Sequence, residues 1–191
     1  MRNLSLWLAK RPDSLIIMAM IFALAYLIKL PILVLLSLTL LAFYGYGVMI
    51  IYREGPSWIK TAMIEAERKG RKFFEIVGDL RPYILFKGLD KFFMLPIRKN
   101  YQIHILFLEG QRLAIYRVIY NALSGELEES HSTREIFYRD ISSIDVIQGD
   151  LDKMAITLSN GQKIEIFYEN KKVGGEAVRQ LREYVRDVKS R

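Results

Sequence analysis

Residues 14–52 read SLIIMAMIFALAYLIKLPILVLLSLTLLAFYGYGVMIIY, thirty-nine positions with one formal charge, Lys29. At roughly 20 apolar residues per crossing, this stretch is long enough to traverse a bilayer twice. Lys29-Leu30-Pro31 divides it into Leu15–Ile28 and Ile32–Tyr52. A Lys at the bilayer centre costs about 2.5–3.5 kcal/mol on insertion scales, and a Pro inside one continuous helix removes a backbone bond. Both costs disappear if Lys29 and Pro31 form a turn at the far membrane surface, so the stretch predicts a two-helix hairpin. The first helix is short and needs Arg11 to Lys29, with some bilayer thinning, to span.

Basic residues orient the hairpin. Arg2, Lys10 and Arg11 precede it, Arg53, Lys60, Arg68, Lys69, Arg71 and Lys72 follow it, and the turn holds only Lys29. The positive-inside rule then puts both ends in the cytoplasm. Trp7, Tyr52 and Trp58 fall near that surface, and Tyr26 near the turn. Small residues at Ala19, Ala23, Ala42, Gly45 and Gly47 allow close helix approach, within the hairpin or in a homo-oligomer. A secretory signal ending at Ala23-Leu24-Ala25 is disfavoured, because the apolar sequence resumes at full length. No intramembrane acid marks a transport path.

The 191 residues carry a net charge of +7, unevenly placed: +3 over residues 1–52, +5 over 53–100 and −1 over 101–191. Charge hugging the hairpin points to anionic headgroups rather than nucleic acid. There is no Cys, so neither a disulfide framework nor a thiolate metal site is available.

Beyond the hairpin, Gly55-Pro56-Ser57 predicts a helix break and a fresh start. From Trp58 to about Gly78, the residues Ile59, Ala62, Met63, Ala66, Gly70, Phe73 and Val77 recur at helical spacing. This amphipathic connector either lies on the membrane or packs its stripe on the following domain; acids at Glu65, Glu67 and Glu75 favour packing. Leu80–Asn100 holds Tyr83–Phe86 and Phe92–Leu95, read as short strands entering the next domain, with a membrane-dipping loop around Phe92 and Phe93 as the alternative.

From Tyr101 the period becomes two. Tyr101–Leu108 and Leu113–Asn121 alternate around Glu109-Gly110-Gln111, Ser124–Thr133 reads as a polar loop, and Ile136–Tyr138 and Ile144–Ile147 make short strands, with Gln148-Gly149-Asp150 turning out of the second. Lys153–Leu158 and Lys163–Tyr168 flank Asn160-Gly161, a hairpin signal because both residues tolerate positive φ. After Gly174-Gly175 a final helix runs from about Glu176 to Lys189, with Ala177, Val178, Leu181, Tyr184, Val185 and Val188 as its buried stripe. The order describes a meandering antiparallel sheet closed by one helix.

The run Arg112-Leu113-Ala114-Ile115-Tyr116, the element Tyr138-Arg139-Asp140-Ile141-Ser142-Ser143-Ile144, the Asn160-Gly161 hairpin and the terminal helix resemble the bacterial pleckstrin-homology-like domains, relatives of the PH and GRAM folds. The resemblance covers residues 80–191 and implies an antiparallel sheet or barrel closed by a C-terminal helix. It also implies a bacterial inner-membrane setting and an interaction or assembly role. Asp140 is expected to bond backbone amides at a turn while Ile141 and Ile144 anchor the next strand. Members that bind phosphoinositides place basic residues in the first inter-strand loop, here Lys87–Lys91 if that segment joins the sheet.

Catalytic constellations are missing from the sequence. His104 and His131 stand alone, Ser142 and Ser143 lack a nucleophile-elbow context, and Glu126, Glu128 and Glu129 read as a solvated acidic loop. Asp150 and Asp152 lack the longer run of oxygen ligands that Ca²⁺ needs. Val173-Gly174-Gly175 lacks the Lys-Ser/Thr of a phosphate loop.

The expected organisation is a cytoplasmic segment at 1–13, a transmembrane hairpin at 14–52, an amphipathic juxtamembrane helix at 53–79 and a PH-like domain at 80–191. This describes a multi-pass inner-membrane protein with cytoplasmic termini, non-enzymatic, without cofactor or metal. It would serve as an interaction or scaffold module for a protein partner, not for nucleic acid. The alternative is a regulator responsive to anionic lipid, with Arg53, Lys60, Arg68, Lys69, Arg71, Lys72, Lys87 and Lys91 as headgroup contacts.

Overall fold

The computed structural model describes residues 2–28, 31–90, 97–130, 133–149 and 152–190. Lys29 at the expected turn, Lys91 with Phe92 and Phe93, His131 and Asp150 lie outside the described residues. The chain divides into two compact units, Met1–Trp58 with Lys91–Lys99, and Ile59–Asp90 with Asn100–Arg191.

The first unit is helical: α1 (Arg2–Ala9), α2 (Pro12–Leu27) and the beginning of α3 (Pro31–Phe73). Leu8 of α1, Met18 of α2 and Tyr44 of α3 share a buried apolar cluster, flanked by Leu15, Leu40, Phe43 and Val48. Gly47 makes this packing possible, since any Cβ there would overlap the Ser5 carbonyl of α1. The Ser14 hydroxyl donates to the carbonyls of Leu8 (2.8 Å) and Arg11 (2.6 Å) and ties the α1–α2 corner. Elsewhere the helices show apolar side chains outward, among them Ile16, Met20 and Leu24 on α2 and Ile32, Leu36 and Met49 on α3. A continuous exposed apolar surface of this kind marks a lipid or protein contact.

Among the described residues one helix, α3, is long and apolar enough to cross a membrane; its most apolar window has a mean hydropathy of 2.1 and is only 28% buried. A soluble core helix would be mostly buried. The 16-residue α2 is apolar but measures only about 24 Å at 1.5 Å per residue, short of a hydrocarbon core of about 30 Å. Helix length therefore carries one crossing, not the two expected from composition.

The expected break at Gly55-Pro56-Ser57 does not occur: Pro56 lies inside α3, which continues to Phe73. The Ser57 hydroxyl there donates to the Glu54 carbonyl at 2.7 Å. The helix ends instead in a Schellman turn, with the Glu75 amide on the Lys72 carbonyl (3.4 Å) and the Ile76 amide on the Arg71 carbonyl (2.9 Å). Glu75 occupies the left-handed position at φ 53°, where glycine is usual.

The second unit holds two antiparallel sheets. β1 (Tyr83–Gly88), β2 (Asn100–Glu109), β3 (Arg112–Asn121) and β4 (Leu127–Glu129) follow in order, and β5 (Arg134–Phe137) also pairs with β3. After a 3-10 turn at Tyr138–Asp140, β6 (Ile141–Ile147), β7 (Asp152–Leu158) and β8 (Lys163–Tyr168) form the second sheet, and α4 (Lys171–Lys189) ends the domain. The architecture is α+β without a closed barrel. The β1 and β8 edges approach through a bond from the Glu169 amide to the Phe86 carbonyl (3.1 Å), and the Glu169 carboxylate accepts from the Gly88 amide (2.8 Å).

The core lies between the sheets and α4, with Leu106, Leu113, Ile115, Ile141, Met154, Ile166 and Leu181 among its members. The far face of β2 and β3 is covered as well. Ala62, Ala66, Gly70 and Phe74, at every fourth position of α3 and its terminal turn, are buried. A Cβ at Gly70 would stand 3.1 Å from both Phe107 and Tyr116, and the Phe74 and Phe107 rings are 6.4 Å apart. The amphipathic connector thus packs on the sheet. Phe73 is exposed and Phe74 buried, reversing the expected stripe, because the chain leaves the helix at that point.

Three local readings are corrected. Ser124–Thr133 contains β4, with Leu127 opposite Tyr120; Asn121 Oδ1 accepts from the amides of Leu123 (2.9 Å) and Ser124 (3.2 Å) and starts the turn. The last helix begins at Lys171 rather than Glu176, because Asn170 Oδ1 accepts from the amides of Lys172 (3.1 Å) and Val173 (3.2 Å). Gly174 therefore lies inside the helix, where a Cβ would overlap the Tyr168 ring. At the β7–β8 turn only Gly161 takes positive φ (83°); Asn160 acts through its side chain, accepting from the Gln162 amide at 3.0 Å.

Candidate functional site

β6 is an outer strand of its sheet, and α4 runs beside its open edge. Ile141 and Ile144 point into the core and fix the strand, while Ser142, Asp145, Val146 and Ile147 are exposed. The Arg182 guanidinium donates to the Ile144 carbonyl from Nε (3.1 Å) and Nη2 (2.7 Å). That bond shows which way the strand faces. The main-chain groups of Ile144 point away from β7, and by the two-residue period those of Val146 do too. Among the described residues no strand pairs with that edge.

α4 is held in place from several directions. Ala177, Val178 and Leu181 enter the core, Tyr184 stacks on Tyr138 with centroids 5.5 Å apart, and Gly174 lets the helix close on Tyr168. Two cavities adjoin the β6 edge. One of about 670 Å³ lies between Val146, Gln148, Asp152 and the Arg179–Arg186 face of α4. The other, of about 460 Å³, lies between Ser142, Ser143 and Val185–Lys189.

Asp152 lines the larger cavity. It is 7% exposed, its Oδ2 stands 3.3 Å from the ammonium of Lys171, and its Oδ1 has no hydrogen-bond partner among the described residues. A buried acceptor left unmade costs about 1–3 kcal/mol, so a donor arriving there is favoured. Tyr168 beside it has its phenol pKa raised, first by burial and then by the Asp152 charge.

The expected headgroup residues separate into two sets. Lys60, Arg68 and Lys72 are exposed and, with exposed Ile64, stand at four-residue intervals on one face of α3. Arg53 is also exposed, in the first unit. The others are engaged: Arg71 pairs with Glu67 at 2.9 Å and bonds the Gly78 (3.1 Å) and Leu80 carbonyls, Lys69 stands 4.0 Å from Glu65, and Lys87, within β1, lies 4.0 Å above the Phe167 ring. Lys91 is outside the described residues.

The remaining polar candidates are placed as follows. His104 is buried on the core face of β2; its Nδ1 accepts from Arg117 Nε at 3.3 Å, and Arg117 also bonds the Glu165 carbonyl of β8 at 2.9 Å. Burial first, and the Arg117 charge second, push the imidazole pKa down to about 3. Glu129 accepts from the Tyr116 hydroxyl at 2.7 Å rather than standing free in a loop. The Asp140 turn is held by its main-chain carbonyl, which accepts from the Ser159 amide (2.8 Å) and hydroxyl (3.1 Å), while its carboxylate lies 3.9 Å from Arg139. Among the described residues no three His, Asp or Glu side chains converge as metal ligands. Arg179, Arg186 and Lys189 have no sequence signal beyond a spacing that sets them beside the apolar stripe of α4. No protein-family model matches the chain, and no curated protein matches it.

Proposed function

We propose that this chain is a non-enzymatic, membrane-anchored interaction module. Its α+β domain, read as PH-like and cytoplasmic, takes a segment of a protein partner as an added strand between β6 and α4. The observation that carries this is the outer edge of β6, with which no strand pairs among the described residues and where the Ile144 carbonyl turns to Arg182 beside two adjoining cavities. An exposed edge left open is a pairing site unless something covers it.

The anchor is α3, whose uncharged part from Pro31 to Tyr52 measures about 33 Å. A hairpin with α2 is supported by Lys10, whose ammonium lies 5.6 Å above the Trp58 ring, and by Met18 sharing a cluster with Tyr44. Arg11 stacked 4.5 Å over Trp7 adds to a basic and aromatic band suited to a headgroup layer. In that arrangement the short α2 is accommodated by local bilayer thinning.

A photoreactive residue at Val146 of the full chain in its native membrane tests the reading. A discrete protein adduct from Val146, and none from Asn160 in the β7–β8 turn, is the expected result. Silence at Val146, or adducts from Asn160 alone, removes the proposal. A second reading, response to anionic lipid, is favoured by the exposed Lys60, Arg68 and Lys72 row.

A further inference from the structure

Resting on the groove reading above, we infer that the segment taken between β6 and α4 is an acidic, extended peptide of a partner protein. Two features of the groove select it. Asp152, a side chain more than nine-tenths buried, lines the larger cavity, and its Oδ1 has no hydrogen-bond partner among the described residues. A fully deprotonated anion such as sulfate would bring it none, whereas a main-chain N–H does. Lys171, which shields the other carboxylate oxygen, is itself 77% exposed and can turn aside.

The opposite wall is basic. Arg182 is committed to the Ile144 carbonyl, but Arg179, Arg186 and Lys189 are exposed and have no ion-pair partner among the described residues. Glu183 is the α4 acid that lines the larger cavity, Asp187 is exposed between Arg186 and Lys189, and Asp145 on β6 already accepts from the Ser143 hydroxyl at 3.0 Å. From Arg179 to Lys189 the helix rises about 15 Å, the length of four or five residues of extended chain. A strand lying along β6 directs every second side chain toward α4, so carboxylates at alternate positions meet those cations while the intervening residues face outward. Both walls are satisfied by one ligand: main-chain donors for Asp152 and β6, carboxylates for α4.

End-blocked octapeptides of alternating Val-Glu, Val-Lys and Val-Ser, added to the full chain in detergent micelles, provide the test by hydrogen exchange. The Val-Glu peptide is expected to protect Ile141–Ile147, with affinity falling about tenfold between 50 and 300 mM salt. The paired change Arg179→Gln with Arg186→Gln should weaken it about tenfold, and Asp152→Asn several-fold. Equal protection by Val-Lys or Val-Ser overturns the acidic preference and leaves the groove standing. Failure of every peptide to protect β6 overturns both. Protection by Val-Glu confined to residues 60–72, or protection of β6 that rises with protein concentration alone, overturns the inference in favour of the α3 row or a second copy of the chain.

Discussion

Gly174 and Gly175 are neighbours in α4 with opposite surroundings, and replacing each by Ala isolates the contact that seats the helix. At Gly175 a Cβ meets nothing within 4 Å; at Gly174 it would overlap the Tyr168 ring. Both changes gain the same helix propensity, about 1 kcal/mol. Only Gly174→Ala adds an overpacking cost, typically about 1–3 kcal/mol. The two variants should therefore differ by about 1–3 kcal/mol, with Gly175→Ala more stable than the parent by up to about 1 kcal/mol. Urea unfolding of the full chain in micelles, followed by circular dichroism, measures this. In the Tyr168→Ala background the difference should collapse, since the ring is gone. Equal stabilisation by both substitutions in the parent background would refute the close approach of α4 to Tyr168, and with it the placement of the groove wall.

Three further outcomes follow from the geometry. His104 is neutral in the fold with its pKa near 3, while the unfolded side chain titrates near 6.5, so the unfolded state binds the extra proton. Stability should fall as pH drops below 6.5, by about 2 kcal/mol at pH 5, and His104→Gln should flatten that slope in pH-dependent unfolding curves. Glu75→Gly relieves the left-handed backbone at φ 53° and should raise stability by about 0.5–1 kcal/mol in the same assay, where a loss would contradict the Schellman turn. Because the chain has no Cys, a spin label at Ile64→Cys is unambiguous. If the Lys60, Arg68 and Lys72 row meets lipid, the label should lose contact with a water-soluble relaxant in anionic nanodiscs and regain it in high salt.

Legibility in the sequence followed the strength of local periodicity. The β2–β3 and β7–β8 hairpins were readable because alternation and turn residues agree: Gly110 and Gly161 both take positive φ. β4 was hidden because Leu127-Glu128-Glu129 carries one apolar side chain, and its strand state comes from pairing with β3. Pro56 and the Gly174-Gly175 pair misled for one reason. Breaker residues raise a local cost, and surroundings decide whether it is tolerated: Gly174 is where Tyr168 needs room. The basic residues were legible as a set, but not which were free. Arg71 is drawn to the carbonyls of Gly78 and Leu80, groups with no sequence signal. The β6–α4 groove was invisible beyond the general idea of an edge, because it joins residues nearly forty positions apart, as the Arg182–Ile144 bond shows.

If α3 anchors the chain and α2 returns through the membrane beside it, Asn3 and Asn160 are reached from the same side of the membrane. Single cysteines at Asn3 and Asn160, both exposed, allow it to be tested with a membrane-impermeant maleimide on intact cells. The protein should stay with alkaline-washed membranes, and neither cysteine should be labelled until the cells are permeabilised, whereupon both are. Labelling of Asn3→Cys alone in intact cells would reduce the hairpin to a single crossing, and release of the chain by the alkaline wash would contradict the anchor itself.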